Sequence, residues 1–235
     1  MTENRYNSIA NNLRQIREKI DNAAIKAGRA PGEISLMAVT KTQTAADVNA
    51  AIAHGITLLG ENRAQELLAK YDDYNRQNAK IHFIGGLQTN KVRQIITRVN
   101  LIQSMDSEHL AAEIEKQAAK NALVMDVLIE VNIGRERSKS GILPEQLFEF
   151  SAKIAELEHL RLRGLMAIPP ISDNITQTMG FFSAMQQLFV DIQAKNVDNK
   201  NIDILSMGMS DDFEYAILNG ATLVRIGSAL FGGRY

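Results

Sequence analysis

Lys41 is the first residue of this sequence whose type and position could do chemistry. It follows the apolar run Ile34-Ser35-Leu36-Met37-Ala38-Val39, read as a largely buried strand. A lysine at the lip of an apolar core is expected to be desolvated, which lowers its pKa and frees an amine that can bond to an aldehyde or ketone. The plain alternative is a lysine that ends a strand and extends to water. A second group is Ser206-Met207-Gly208-Met209-Ser210 with Gly227-Ser228, two turns that offer hydroxyls and unhindered backbone N–H groups to a phosphate. Glycine and serine also simply make turns, and Asp211 and Asp212 beside the first loop would repel an anion. The third is Arg225, inside the run Leu223-Val224-Arg225-Ile226, which must either face the site or pair with a carboxylate. An amine, a phosphate cup and a buried guanidinium together suit pyridoxal 5′-phosphate (PLP), which carries an aldehyde, a phosphate and a ring nitrogen. They also suit a Schiff-base aldolase acting on a sugar phosphate.

Other chemistries find little support. The four histidines show no metal-binding spacing, and there is no cysteine for a thiolate site or disulfide. No G-x-S-x-G nucleophile turn occurs. With 26 basic and 27 acidic residues the net charge is −1, so nucleic acid and anionic membrane surfaces are not expected partners. No apolar run reaches the roughly 20 residues needed to span a bilayer, and the polar opening residues carry no export signal. A cytoplasmic protein is expected.

The elements that must position these groups alternate. Residues 8–27 read as an opening helix, with Ile9, Leu13, Ile16, Ile20 and Ala24 on one face. Strands are expected at 34–39, 57–59, 80–84, 101–103, 125–131, 160–167, 202–206 and 222–226. Helices fall between them, near 44–54, from 64, and near 88–98, 107–121, 147–157, 174–195 and 211–219. Eight strand–helix units predict an α/β chain folded as a single (β/α)₈ barrel over residues 1–235, with an extra N-terminal helix. The alternative is an open doubly wound sheet, but neither G-x-G-x-x-G nor a P-loop is present. In a barrel, function gathers at the carboxyl ends of the strands, where Lys41, Asn62, Met166, Ser206 and Arg225 all fall.

Several of these segments are familiar. Ala38-Val39-Thr40-Lys41-Thr42, Gly60-Glu61-Asn62, His82-Phe83-Ile84-Gly85-Gly86-Leu87-Gln88-Thr89-Asn90-Lys91, Ser138-Lys139-Ser140-Gly141, Gly164-Leu165-Met166, Ser206-Met207-Gly208-Met209-Ser210-Asp211 and Val224-Arg225-Ile226-Gly227 resemble the pyridoxal phosphate homeostasis protein family. The loop Asn132-Ile133-Gly134-Arg135-Glu136-Arg137 departs from the commoner serine-containing version. The resemblance implies a barrel like the alanine racemase N-terminal domain, with Lys41 holding PLP as an internal aldimine. It implies Ser206, Gly208, Met209, Ser210, Gly227 and Ser228 around the phosphate, Arg225 at the pyridine nitrogen, and Asn62 and Met166 lining the ring. It further implies a monomer or weak homodimer that carries or regulates PLP, with apo-enzymes as partners and without an established reaction. A PLP-dependent amino-acid enzyme such as a racemase is the alternative. Against it, the sequence runs only nine residues past the last strand and leaves no second domain to supply another acid–base group.

Overall fold

Eight parallel strands close on themselves in chain order in the computed structural model, which describes residues 3–195 and 202–232. They are β1 (Ser35–Val39), β2 (Leu58–Glu61), β3 (Lys80–Phe83), β4 (Leu101–Met105), β5 (Met125–Glu130), β6 (Leu160–Met166), β7 (Ile204–Ser206) and β8 (Leu223–Ile226). The helices are α1 (Glu3–Lys26), α2 (Ala45–Ala53), α3 (Ala64–Lys70), α4 (Thr89–Ile95), α5 (Glu108–Lys120), α6 (Leu147–Ala155), α7 (Ile175–Ala194), α8 (Phe213–Leu218) and the single turn α9 (Ser228–Phe231). A helix follows every strand, and α1 stands before the first, so the closed barrel replaces the open-sheet alternative. The expected domain, residues 1–235, runs past the described residues at both ends and across 196–201.

Alternation along each strand sorts the side chains into two layers. Ala38, Leu59, Ile81, Phe83, Val224 and Ile226 point outward and join the shell that packs against the helices. Met37, Leu58 and Leu223 point inward with Ile84 and Ile204, and beside them Leu101, Leu128 and Met166 fill the rest of the interior. The barrel is therefore a packed core, not a pore.

α1 begins at Glu3, five residues earlier than the apolar spacing predicts. The extra turn is held by Tyr6, which packs against the core and the His54 ring, and by the Arg5 side chain. Arg5 pairs with Asp47 at 2.9 Å and donates to the carbonyl of Phe231, tying α1 to α2 and α9. Along the rest of the helix Ile9, Leu13, Ile16 and Ile20 are buried, each contributing about 1.5–3 kcal/mol. β4 also runs two residues beyond expectation, because Gln103 and Ser104 are buried polar residues that interrupt the apolar pattern without ending the strand.

Candidate functional site

At the carboxyl end of β1 the inward register runs Met37, Val39, Lys41. Lys41 lies two residues beyond the strand and is exposed, not desolvated as its position in the sequence predicts. The apolar run stops at Thr40, and the turn carries the lysine out over the rim. What fixes that turn is buried behind it. Thr40 is fully buried, and its hydroxyl donates to Glu61 Oε1 at 2.6 Å. The same oxygen accepts from Lys70 Nζ at 3.0 Å and Tyr74 OH at 2.7 Å, and Lys70 also reaches the Thr40 carbonyl at 3.1 Å. On the other side of Lys41, Thr42 sits at φ +62°, in the left-handed region that a β-branched residue seldom adopts. Its N–H is held by Glu66 Oε2 at 2.9 Å. A strained residue persists only where its surroundings over-determine it, and here both neighbours of Lys41 are anchored.

Asn62 follows β2 on the same inward register. Its Oδ1 is buried and has no hydrogen-bond partner. An orphaned buried acceptor at the rim calls for a donor from outside the protein. The neighbouring turn presses close: a Cβ on Gly85 would lie 2.1 Å from the Asn62 carbonyl oxygen, so the residue there must be glycine.

Strand register sets Glu130, Met166 and Ser206 side by side across β5, β6 and β7. Met166 is fully buried and packs with Leu101 and Leu128 beneath the rim. Ser206 is also fully buried, and its hydroxyl is engaged: it accepts from Arg225 Nη1 at 2.7 Å and donates to Gln103 Oε1 at 2.7 Å. The expected phosphate role does not fit that arrangement. Ser206 instead holds Arg225, whose Nη2 donates to the Ala167 carbonyl at 2.8 Å. The carboxylate partner considered for Arg225 is absent among the described residues. Burial pushes the guanidinium down to about 10, against the pull of Glu130 and Asp212, so it remains charged at neutral pH.

The two glycine–serine turns meet at Ser210. Gly208 has φ +91°, and a Cβ there would lie 2.6 Å from that of Ala216, so the turn requires glycine. Ser210 Oγ accepts from the backbone N–H groups of Gly227, at 3.4 Å, and Ala229, at 3.2 Å, which links the β7 and β8 turns. Ser228 is exposed between those two donors. The Met209 N–H is taken by Asp212 Oδ1 at 2.6 Å. The aspartate that could have repelled an anion thus caps its own turn, and Met209 contributes no free N–H.

Glu130 is the site residue that the sequence reading missed. It lies 8% exposed on the inner face of β5. Burial, reinforced by Asp106 and opposed by Arg225, raises its carboxyl to about 7. Because the folded value lies above the ordinary 4.5, the folded state holds this proton more tightly than the unfolded chain. Stability is then expected to fall as pH rises from about 4.5 to 7, by on the order of 3 kcal/mol from this group. Glu130→Gln should remove that component. Urea unfolding at pH 5 and 8 checks it: the variant gains on the wild type at the higher pH, and an unchanged difference between the two would contradict the assignment.

Among the described residues no three histidine, aspartate or glutamate side chains gather as a metal site would require. No described helix is long and apolar enough to cross a membrane.

The barrel and its rim define a class. Residues 5–235 match the family described as alanine racemase, N-terminal domain. Curated relatives named pyridoxal phosphate homeostasis protein are 42% identical in Aquifex aeolicus, over 94% of this chain and 96% of that one, and 42% identical in Escherichia coli K12, over 97% of each. PipY of Synechococcus elongatus PCC7942, solved with PLP bound, superposes with a TM-score of 0.83 at 29% identity, covering 95% of this chain and all of that one. The chain belongs to the pyridoxal phosphate homeostasis protein family.

Proposed function

We propose that this chain binds PLP at the carboxyl end of the barrel, with the Lys41 amine bonding to its aldehyde carbon, and serves in the homeostasis of that cofactor in the cytoplasm. The observation that carries the reading is Arg225: a buried, charged guanidinium fixed by Ser206 and Ala167 without a carboxylate partner. The orphaned Asn62 acceptor and the joined Gly208–Ser210 and Gly227–Ser228 turns support it, as do the names of the relatives and the PLP-bound PipY structure.

When bound, PLP supplies an electrophilic carbon and a ring that can draw electrons. The residues here favour holding it over exploiting it. Arg225 is a permanent donor, and beside a ring nitrogen it keeps that nitrogen unprotonated, which weakens the ring as an electron sink. The Gly208 and Gly227 turns, which Ser210 joins, would hold the phosphate, and Met166 would lie beneath the ring. Ser206 positions Arg225 in place of touching phosphate. Delivery to apo-enzymes completes the reading.

Incubation of the PLP-loaded protein with L-alanine or L-serine tests it. The expected result is no accumulation of D-isomer beyond one equivalent. Multiple turnover would replace the carrier with an enzyme. Protein that stays colourless with added PLP would favour aldolase chemistry at the same lysine.

A further inference from the structure

The amino end of the barrel, opposite the rim that carries Lys41, opens on a cavity of about 1120 Å³. Lys80, His82, Asp126, Arg161, Arg163 and Asp203 line its barrel side. Three cations there face two carboxylates. Asp126 pairs with Arg161 at 2.6 Å and with Arg163 at 2.8 Å, and Arg163 also pairs with Asp203 at 2.7 Å. Lys80 is exposed and has no acidic partner among the described residues. Asp21 and Glu33 lie on the helix side of the same cavity and limit how much negative charge it can take.

His82 is the buried member, 6% exposed. A polar chain through the barrel fixes its tautomer. Arg225 Nη1 can only donate, and it donates to Ser206 Oγ; the Ser206 hydroxyl in turn donates to Gln103 Oε1. With that oxygen accepting, Gln103 Nε2 faces His82 Nδ1 at 3.1 Å and donates to it. The imidazole proton therefore sits on Nε2. Nε2 makes no hydrogen bond or ion pair among the described residues. Burial and the nearby Lys80, with Arg163 adding and Asp126 opposing, push the ring down to about 3, so it stays neutral and keeps a single donor.

A fixed N–H donor beside an unpaired ammonium is complementary to a negatively charged acceptor. We propose that the amino end of the barrel is a second ligand site, for a small oxyanion of the carboxylate or phosphate type, held by His82 Nε2–H and Lys80 Nζ. The proposal does not depend on PLP binding at the other end.

Protein labelled with ¹⁵N-histidine, without PLP, tests it by two-bond ¹H–¹⁵N correlation. Variants of His54, His109 and His159 assign the His82 signals by elimination. The expected spectrum shows the Nε2–H tautomer from about pH 5 to 8. Inorganic phosphate or succinate, titrated in parallel at constant ionic strength, should shift His82 saturably. Saturation by phosphate alone assigns a phosphate site, and saturation by both assigns a general oxyanion site. Lys80→Met should weaken binding about fivefold or more while leaving the tautomer unchanged. No saturable shift with either anion, equal affinity in Lys80→Met, or an Nδ1–H tautomer would each overturn the proposal.

Discussion

Lys41→Ala is expected to lower PLP affinity by about a hundredfold or more, equivalent to about 2.8 kcal/mol. The loss should leave the fold untouched. Lys41 is exposed and makes no hydrogen bond or ion pair among the described residues, so its removal should change stability by less than about 0.5 kcal/mol. The variant retains Arg225, Asn62 and both glycine turns, and weak non-covalent binding should survive. Fluorescence titration with PLP, paired with a thermal melt, separates the two effects. An affinity equal to wild type would show that the amine does not hold the cofactor. A collapse of the melt would show that Lys41 carries structure that its exposed position does not reveal.

Glu61→Ala should produce the largest stability change. Glu61 is fully buried between the barrel wall and α3, and three donors converge on its Oε1. Removing the carboxylate strands the Lys70 ammonium, 15% exposed, together with the hydroxyls of Tyr74 and Thr40. Breaking a buried pair by deleting one partner costs about 3–5 kcal/mol. For a chain of this length that is a fall of about 6–20 °C in melting temperature. Because the network clamps Thr40 immediately before Lys41, PLP affinity should fall as well. Glu61→Gln keeps an acceptor and should lose less on both counts. A melting point for Glu61→Ala within about 2 °C of wild type would refute the clamp.

Much of the fold was legible because alternation and helical spacing are local. Ile9, Leu13, Ile16 and Ile20 mark α1, and the eight strand–helix units predict the closed barrel that forms. The misses share a cause: they depend on partners distant in sequence. The first turn of α1 rests on Arg5 reaching Asp47 and Phe231 and on Tyr6 meeting His54, which no local pattern announces. Gln103 breaks the apolar run of β4, yet stays inside because His82 and Ser206 satisfy it. Ser206 reads as one more serine in a phosphate-like turn, and only its contact with Arg225 gives it another task. Lys41 has the expected register, but the rim falls at Thr40, one residue too early to bury it. Glu130 could have been found. On β5 the inward set is Asp126, Leu128, Glu130, so a carboxyl at the carboxyl end of a barrel strand was visible once the alternation was followed to its last residue.

Borohydride reduction of the protein mixed with PLP, followed by proteolysis and mass mapping of the modified peptide, tests the central claim most directly. The account predicts one reduced pyridoxyl group per chain, on Lys41, and none at that position in Lys41→Ala. Reduced cofactor fixed on another lysine in the wild type, or none at all, would contradict it.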